Sequence, residues 1–342
     1  MSAAPAGSTT LFLDETPGET RGAVLRDGRF THFFIDREDD EPRTRLDARG
    51  VGRVAEVRPG VGAFVDLGVG QPGFLPFRRG ESIRQGERLE VAVAAEPRDG
   101  KGAALRRLGP AEGEPRLLAP GPGAAERLAE IAPGQPVVTG IAAIDAVTEA
   151  AEEALSTRFA FPAWGLDLAI ERTRALVAVD FDHLPLAGRD PARDRRRANV
   201  EGLRQVARLL GLKRWGGLAA IDLIGGGGDG EALLKAARAA FAHQPGTAFG
   251  PLSRFGLLQL SRPWGAAPAE VVLAPTPRTR AQDLVRALRR HILSDTARPR
   301  VVARCVPEEA AIAAPLAARL GLRAGVVADP SLAPGRGQIE AS

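Results

Sequence analysis

Residues 166–182 read LDLAIERTRALVAVDFD, and residues 216–224 read GGLAAIDLI. Each is an aliphatic run that ends on a carboxylate, Asp180 in the first and Asp222 in the second. Runs this short and apolar, bounded by polar residues or glycine, predict strands buried on both faces. Neighbouring strands lie about 4.8 Å apart, so if the two pair, their acids converge on one edge of a sheet. Paired carboxylates at such an edge suit a hard cation, because Mg2+ takes one or two carboxylates and keeps several waters. The plainer alternative is that each Asp caps the element that follows it.

Working outward, 342 residues predict two or three structural units. With 44% hydrophobic and 26% charged residues the chain can bury real cores. The net charge is +4, and the basic side is nearly all arginine, lysine occurring only at Lys101, Lys213 and Lys235. Arginine suits bidentate phosphate recognition, which makes nucleic acid a candidate partner; a GC-rich coding bias gives the same count. Cys305 is the lone cysteine, so no intrachain disulfide or cysteine-rich zinc site can form, and a reducing compartment fits. The opening MSAAPAGSTTLFLDE has no basic head with an apolar core, and no run of 18 apolar residues occurs. The expectation is a cytoplasmic protein without a membrane partner.

In chain order, residues 11–36 predict a hairpin, with Asp27-Gly28 as its turn signal. DREDDEPRTR (36–45) reads as a solvated connector. Short strands at close spacing over 49–108 predict a small β-barrel, and the OB-fold is the common small barrel that binds single-stranded nucleic acid. In it Phe64 and Phe74 are candidate base-stacking platforms, or else core residues. Lys101 sits in a Gly-Lys-Gly loop, as an RNA contact or as a solvated turn residue. Residues 109–140 are rich in Pro, Gly and Ala and read as a linker, followed by a helix over 141–158. Five arginines fall within 189–197, either a phosphate grip or a solvated charge run. Asn199 to Leu210 predicts an amphipathic helix ended by Gly211, which places a strand–helix–strand unit between the two acids. Gly225 to Gly230 (GGGGDG) formally fits a dinucleotide-binding glycine pattern before a helix at 231–242, but 243–252 lacks the acid such a site needs. Beyond LSRFGLLQLSR (252–262), which carries Arg254 and Arg262, the last seventy residues predict a separate small α/β unit.

Laid out in this order, the chain resembles the ribonuclease E/G family along most of its length. LFLDETPGETRGAVLRDGRF resembles that family's N-terminal hairpin, and GVGRVAEVRPGVGAFVDLGVGQPGFLP its S-one-type OB-fold, with GKGAAL closing the domain. IERTRALVAVDFD resembles the catalytic strand, and NVEGLRQVARLLGLKRWGGLAAIDLI the segment after it. The resemblance implies that Phe64, Phe74 and Lys101 hold RNA and that Asp180 and Asp222 are Mg2+ ligands. It also puts Asp182 where the family has an asparagine supporting the site. Three departures stand out. The two-cysteine zinc-linking motif is replaced by GAAPAEVVLAPTPRTR at 265–280. Where the family's sensor of a 5′-monophosphate belongs there is only the Pro/Gly-rich stretch, and Arg174 replaces a family glutamate.

The expected architecture is therefore multidomain α/β. Residues 1–46 form an N-terminal hairpin segment packing with 141–165, 47–108 an OB-fold, 109–140 a linker, 141–268 a central α/β catalytic domain, and 276–342 a C-terminal small α/β domain. The expected function is an endoribonuclease on single-stranded RNA, with Asp180, Asp182 and Asp222 catalytic and Phe64, Phe74, Lys101 and Arg254 binding RNA. Mg2+, held by Asp180 and Asp222, is the expected cofactor, with Mn2+ as a substitute and neither zinc nor a zinc-linked oligomer. The competing reading is a catalytically inactive RNA-binding protein on the same scaffold. A dinucleotide-binding enzyme is a distant third.

Overall fold

The computed structural model describes residues 7–77, 82–184, 190–227 and 230–341. It is a mixed α/β protein with several sheets and, among the described residues, seven α-helices. The chain divides into two compact units, one built from 1–152 with 267–342 and the other from 153–266.

The first unit opens with strands Thr9–Thr16 (β1), Glu19–Arg26 (β2) and Arg29–Arg37 (β3), a meander of antiparallel neighbours. The β2–β3 turn is the Asp27-Gly28 pair, both with positive φ (50° and 75°), as a two-residue hairpin of this type requires. Next come Arg49–Arg58 (β4), Gly62–Asp66 (β5), Gly73–Pro76 (β6), Arg88–Ala95 (β7) and Ala104–Pro110 (β8). They are ordered β5-β6-β8-β7-β4, and a further β4–β5 pairing closes the five into a barrel. Alternate residues fill it, among them Val54, Val65, Leu75, Leu89, Val91, Val93 and Leu105.

The stretch 109–140 is not a linker. Arg116–Ala119 (β9) pairs with β4, Ala124–Ile131 (α1) packs on the N-terminal sheet, and Val137–Val138 (β10) pairs with β1. Three apolar anchors hold it despite its Pro/Gly composition. Ala124 and Leu128 are buried against Leu11, Leu13 and Val24, and Leu117 packs on the barrel core. Asp36, read as part of a solvated connector, accepts from the first backbone N–H of α1 at 2.5 Å.

Ile141–Leu155 (α2) runs across the division between the units. The second unit holds Arg158–Phe161 (β11), Leu166–Arg172 (β12), Val177–His183 (β13), Pro191–Leu212 (α3), Gly217–Asp222 (β14), Gly230–Ala240 (α4), Ala248–Phe249 (β15) and Leu257–Arg262 (β16). Its sheet runs β11-β12-β13-β14-β16-β15, with β13 and β14 parallel and joined through α3. The run 166–182 is thus two antiparallel strands rather than one. Thr173 makes the turn, its hydroxyl oxygen accepting from the N–H groups of Ala175 and Leu176, both at 3.2 Å.

The sheet is also not buried on both faces. Leu168, Ile170, Val177, Val179, Phe181, Ala219, Ile221, Leu258 and Leu260 point into the core, while the alternate residues lie on an open face. The open positions nearest the acids are Ala169, Ala178 and Ala220, apolar but small, which is why the runs look uniformly apolar. Helix α3 lies close on the buried face at Gly202, where any Cβ would run into the Phe181 ring. The helix starts eight residues earlier than its apolar spacing implies, because Asp190 caps it by accepting from the N–H of Arg193 and Pro191 occupies its first turn. Gly211 lies inside the helix, not beyond its end.

The chain ends in the first unit with Ala269–Val272 (α5), Pro277–Ser294 (α6), Val301–Cys305 (β17), Pro307–Ala318 (α7), Ala324–Ala328 (β18) and Gln338–Ala341 (β19). The sheet order is β18-β17-β19. A buried ion cluster ties α6 to the N-terminal sheet. Glu19 takes Arg21 (2.6 Å), Arg37 (2.5 Å) and Arg286 (3.0 Å), while Asp14 takes Arg286 (2.7 Å) and Arg289. Burial alone would raise the Glu19 carboxyl, but Arg21, Arg286 and Arg37 outweigh it and lower it to about 2.

Candidate functional site

Two clusters of predicted site residues form, each inside one unit. In the second unit, Asp180 on β13 and Asp222 on β14 are register partners across the parallel pair. Side chains at matched positions of adjacent strands point the same way, so both carboxylates stand on the open face, and Asp182, two residues on, joins them. Burial, then the charges of Asp182 and Asp222, push the Asp180 carboxyl above its usual range. Like charges held this close leave an excess of negative charge that a cation would offset.

Helix α3 fixes both strand ends. The Asn199 amide clasps the backbone just beyond Asp222, its Oδ1 accepting from the N–H of Ile224 (3.0 Å) and its Nδ2 donating to that residue's carbonyl (3.1 Å). At the end of β13, His183 Nε2 meets the buried Asp194 carboxylate at 3.2 Å. These two contacts set where the three acids stand, and neither was foreseen from the sequence. Asp167 was also missed. It pairs with Asp182 across β12–β13 and adds a fourth carboxylate to the open face, hidden while 166–182 read as one strand.

The donor chemistry fits a hard divalent ion with a mostly aqueous shell. Among the described residues no group of three or more His, Cys, Asp or Glu side chains comes together as a ready-made cage. Two register-paired aspartates with open solvent around them match the way Mg2+ is usually bound, through one or two carboxylates and water.

In the first unit, Phe64 on β5 and Phe74 on β6 are register partners, their half-buried rings 5.4 Å apart and inclined at 59°. They line a cleft of about 450 Å³ with Gln71, Pro72, Arg98 and Lys101. The exposed Lys101 follows a two-residue Asp99-Gly100 turn, closed by paired backbone hydrogen bonds between residues 98 and 101. Gly102 lets this loop pass against the Pro72 carbonyl, where a Cβ would collide. The Arg58 guanidinium lies 4.9 Å from the centre of the Phe64 ring. Aromatic faces, cations and an apolar wall together are what unstacked nucleobases bind to.

Arg254 is exposed on the turn before β16. Arg262, by contrast, is turned inward and donates to the carbonyls of Leu210 (3.1 Å) and Trp215, closing the end of α3. Lys213 is fully buried and donates to the carbonyls of Ala154 (2.8 Å) and Ser156, a structural role for one of the three lysines. Arg193, Arg195, Arg196 and Arg197 are exposed on the first turns of α3, while Arg189 lies outside the described residues. Of the glycine run, Gly225 to Gly227 form a short 3-10 turn after Asp222, and 228–229 lie outside the described residues.

Fold and site thus define a mixed α/β protein with a carboxylate cluster on an open sheet face and, in its other unit, an aromatic and basic cleft. Residues 133–264 match the model of the Ribonuclease E/G family, a span that contains Asp180, Asp182, Asp222 and Arg254. That match makes this segment similar to the ribonuclease E/G family, whose name points to ribonucleases and to RNA as their class of substrate. No match is found among curated proteins. No described helix is long and apolar enough to cross a membrane.

Proposed function

We propose that the protein is a metal-dependent endoribonuclease that cuts single-stranded RNA at the Asp180–Asp222 edge. The observation that carries this reading is the register pairing of those two aspartates on an exposed face, inside the segment that matches the family. Asp180 and Asp222 would hold Mg2+, with Mn2+ as a substitute. Bound there, the ion supplies Lewis-acid chemistry, making a water more acidic and offsetting charge on the phosphate. Asp182 faces the same side and orients the attacking water through its carboxylate. In-line attack on phosphorus breaks the bond to the 3′ oxygen, leaving a 3′-hydroxyl on one fragment and a 5′-phosphate on the other. Arg254 contacts a backbone phosphate. We read the five-stranded barrel as an OB-fold that binds bases through Phe64 and Phe74 and phosphate through Lys101, a reading supported by its closed strand order.

Asp182 replaces the asparagine expected from the resemblance and stands opposite Asp167. That added charge favours one competing reading, an RNA-binding protein that no longer cuts. A 5′-labelled, A/U-rich RNA incubated with the protein separates the two. Cleavage in Mg2+ that stops in EDTA supports the nuclease. Salt-sensitive binding with no cleavage in either Mg2+ or Mn2+ supports the binding protein.

A further inference from the structure

Phe255 is the most exposed aromatic ring recorded in the second unit, 74% accessible, and nothing in the carboxylate chemistry above uses it. Its place is set by the turn that carries it. The Ser253 hydroxyl oxygen accepts from the N–H groups of Phe255 (3.3 Å) and Leu257 (3.1 Å). Backbone bonds run from Ser253 N–H to the Leu257 carbonyl and from Gly256 N–H to the Ser253 carbonyl, both at 3.0 Å. Gly256 closes the turn at φ 84°. A loop clamped by four hydrogen bonds holds its side chains in place, yet this one presents a bare ring to water. The turn leads straight into β16, whose first residue, Leu257, is the register partner of Asp222. Phe255 therefore stands two residues beyond the row that holds Asp180 and Asp222. The Arg254 guanidinium lies 5.2 Å from the ring centre and covers one face, leaving the other open.

We infer that Phe255 is a stacking platform for the nucleobase next to the scissile phosphate, with Arg254 holding the phosphate of the same nucleotide. A ring held open to water in a fixed turn offers apolar area that a stacked base can bury. A flat ring beside a cation matches a nucleotide, which offers a π-face and a phosphate one sugar apart. The inference rests on the RNA reading above and adds a contact at the acidic edge, separate from the barrel cleft.

The test uses the full chain with Phe255→Ala, Phe255→Leu and Phe255→Trp. At so exposed a position these substitutions should leave folding intact, checked by thermal unfolding. On a short single-stranded RNA, Phe255→Ala and Phe255→Leu should weaken binding in EDTA about tenfold, within the range for one base stacked on an aromatic ring. Phe255→Trp should keep wild-type affinity, and its added tryptophan emission should be quenched by RNA, a signal that a purely structural role does not produce. If the wild type binds RNA but all three variants match it within about twofold and the new tryptophan is not quenched, the platform is refuted and the nuclease reading stands. If Phe255→Ala instead loses self-association with RNA affinity intact, the ring is a protein contact and the inference is wrong. If the wild type binds no RNA at all, the functional reading fails first and takes this inference with it.

Discussion

Replacing Asn199 by alanine should loosen the second unit and slow cleavage without touching an acid. The Asn199 amide makes two hydrogen bonds to Ile224, at 3.0 and 3.1 Å, in a side chain that is 3% exposed. Removing it deletes both bonds and leaves the N–H and C=O of Ile224 facing a small void. Each net bond contributes about 1 kcal/mol, and an unsatisfied buried partner costs about 1–3 kcal/mol, so the loss should be about 2–4 kcal/mol. Asn199→Asp keeps an acceptor for the N–H but sets a carboxylate oxygen against the carbonyl, and should be nearly as damaging. All three tryptophans, Trp164, Trp215 and Trp264, lie in the second unit, so urea unfolding followed by tryptophan emission reads this unit alone. Because Ile224 is two residues from Asp222, turnover under conditions where the variant stays folded should fall more than RNA affinity does. An unfolding midpoint and a turnover both equal to wild type would refute the idea that this clasp positions Asp222.

The buried ion cluster of the first unit predicts acid sensitivity. Glu19 is lowered from 4.5 to about 2 in the folded state, so its contribution is complete above pH 4.5 and is lost as the pH falls toward 2. The shift corresponds to roughly 3 kcal/mol, and the stability gap between wild type and Glu19→Gln, measured by circular dichroism in urea, should shrink over that window. A gap that stays constant from pH 7 to about pH 3 would contradict this. In the barrel, Phe64→Ala should weaken RNA binding by about 1–3 kcal/mol with little change in salt dependence. Lys101→Ala should instead flatten the plot of log affinity against log salt by about 0.7, the loss of one phosphate contact to a single strand. If each variant shows the other's behaviour, the assignment of base and phosphate contacts in the cleft is wrong.

Turn chemistry and charge made part of this protein legible in its sequence. Asp27-Gly28 marked the first hairpin, and the acid at the tip of each aliphatic run marked the edge where Asp180 and Asp222 meet. The hairpin inside 166–182 escaped because its turn, Thr173 to Leu176, holds no Gly, Pro or Asn, and a threonine hydroxyl does their work. The open face escaped because alanine at 169, 178 and 220 reads as apolar, whereas on the sheet it leaves room beside the carboxylates. Residues 109–140 read as a linker by composition, since a few anchors such as Leu117 and Leu128 do not form a periodic pattern. The clasp of Asn199 on Ile224 links residues 25 apart in sequence, and the amide carries no local sign of its partner.

The most direct measurement is single-turnover cleavage of a short single-stranded RNA in Mg2+ by wild type, Asp180→Asn and Asp222→Asn, with RNA affinity measured in parallel. The paired-carboxylate account predicts that both variants lose cleavage while binding RNA as tightly as wild type, within about threefold, because neither acid anchors the strand. Full cleavage by either variant would place the chemistry elsewhere in the molecule and contradict the account.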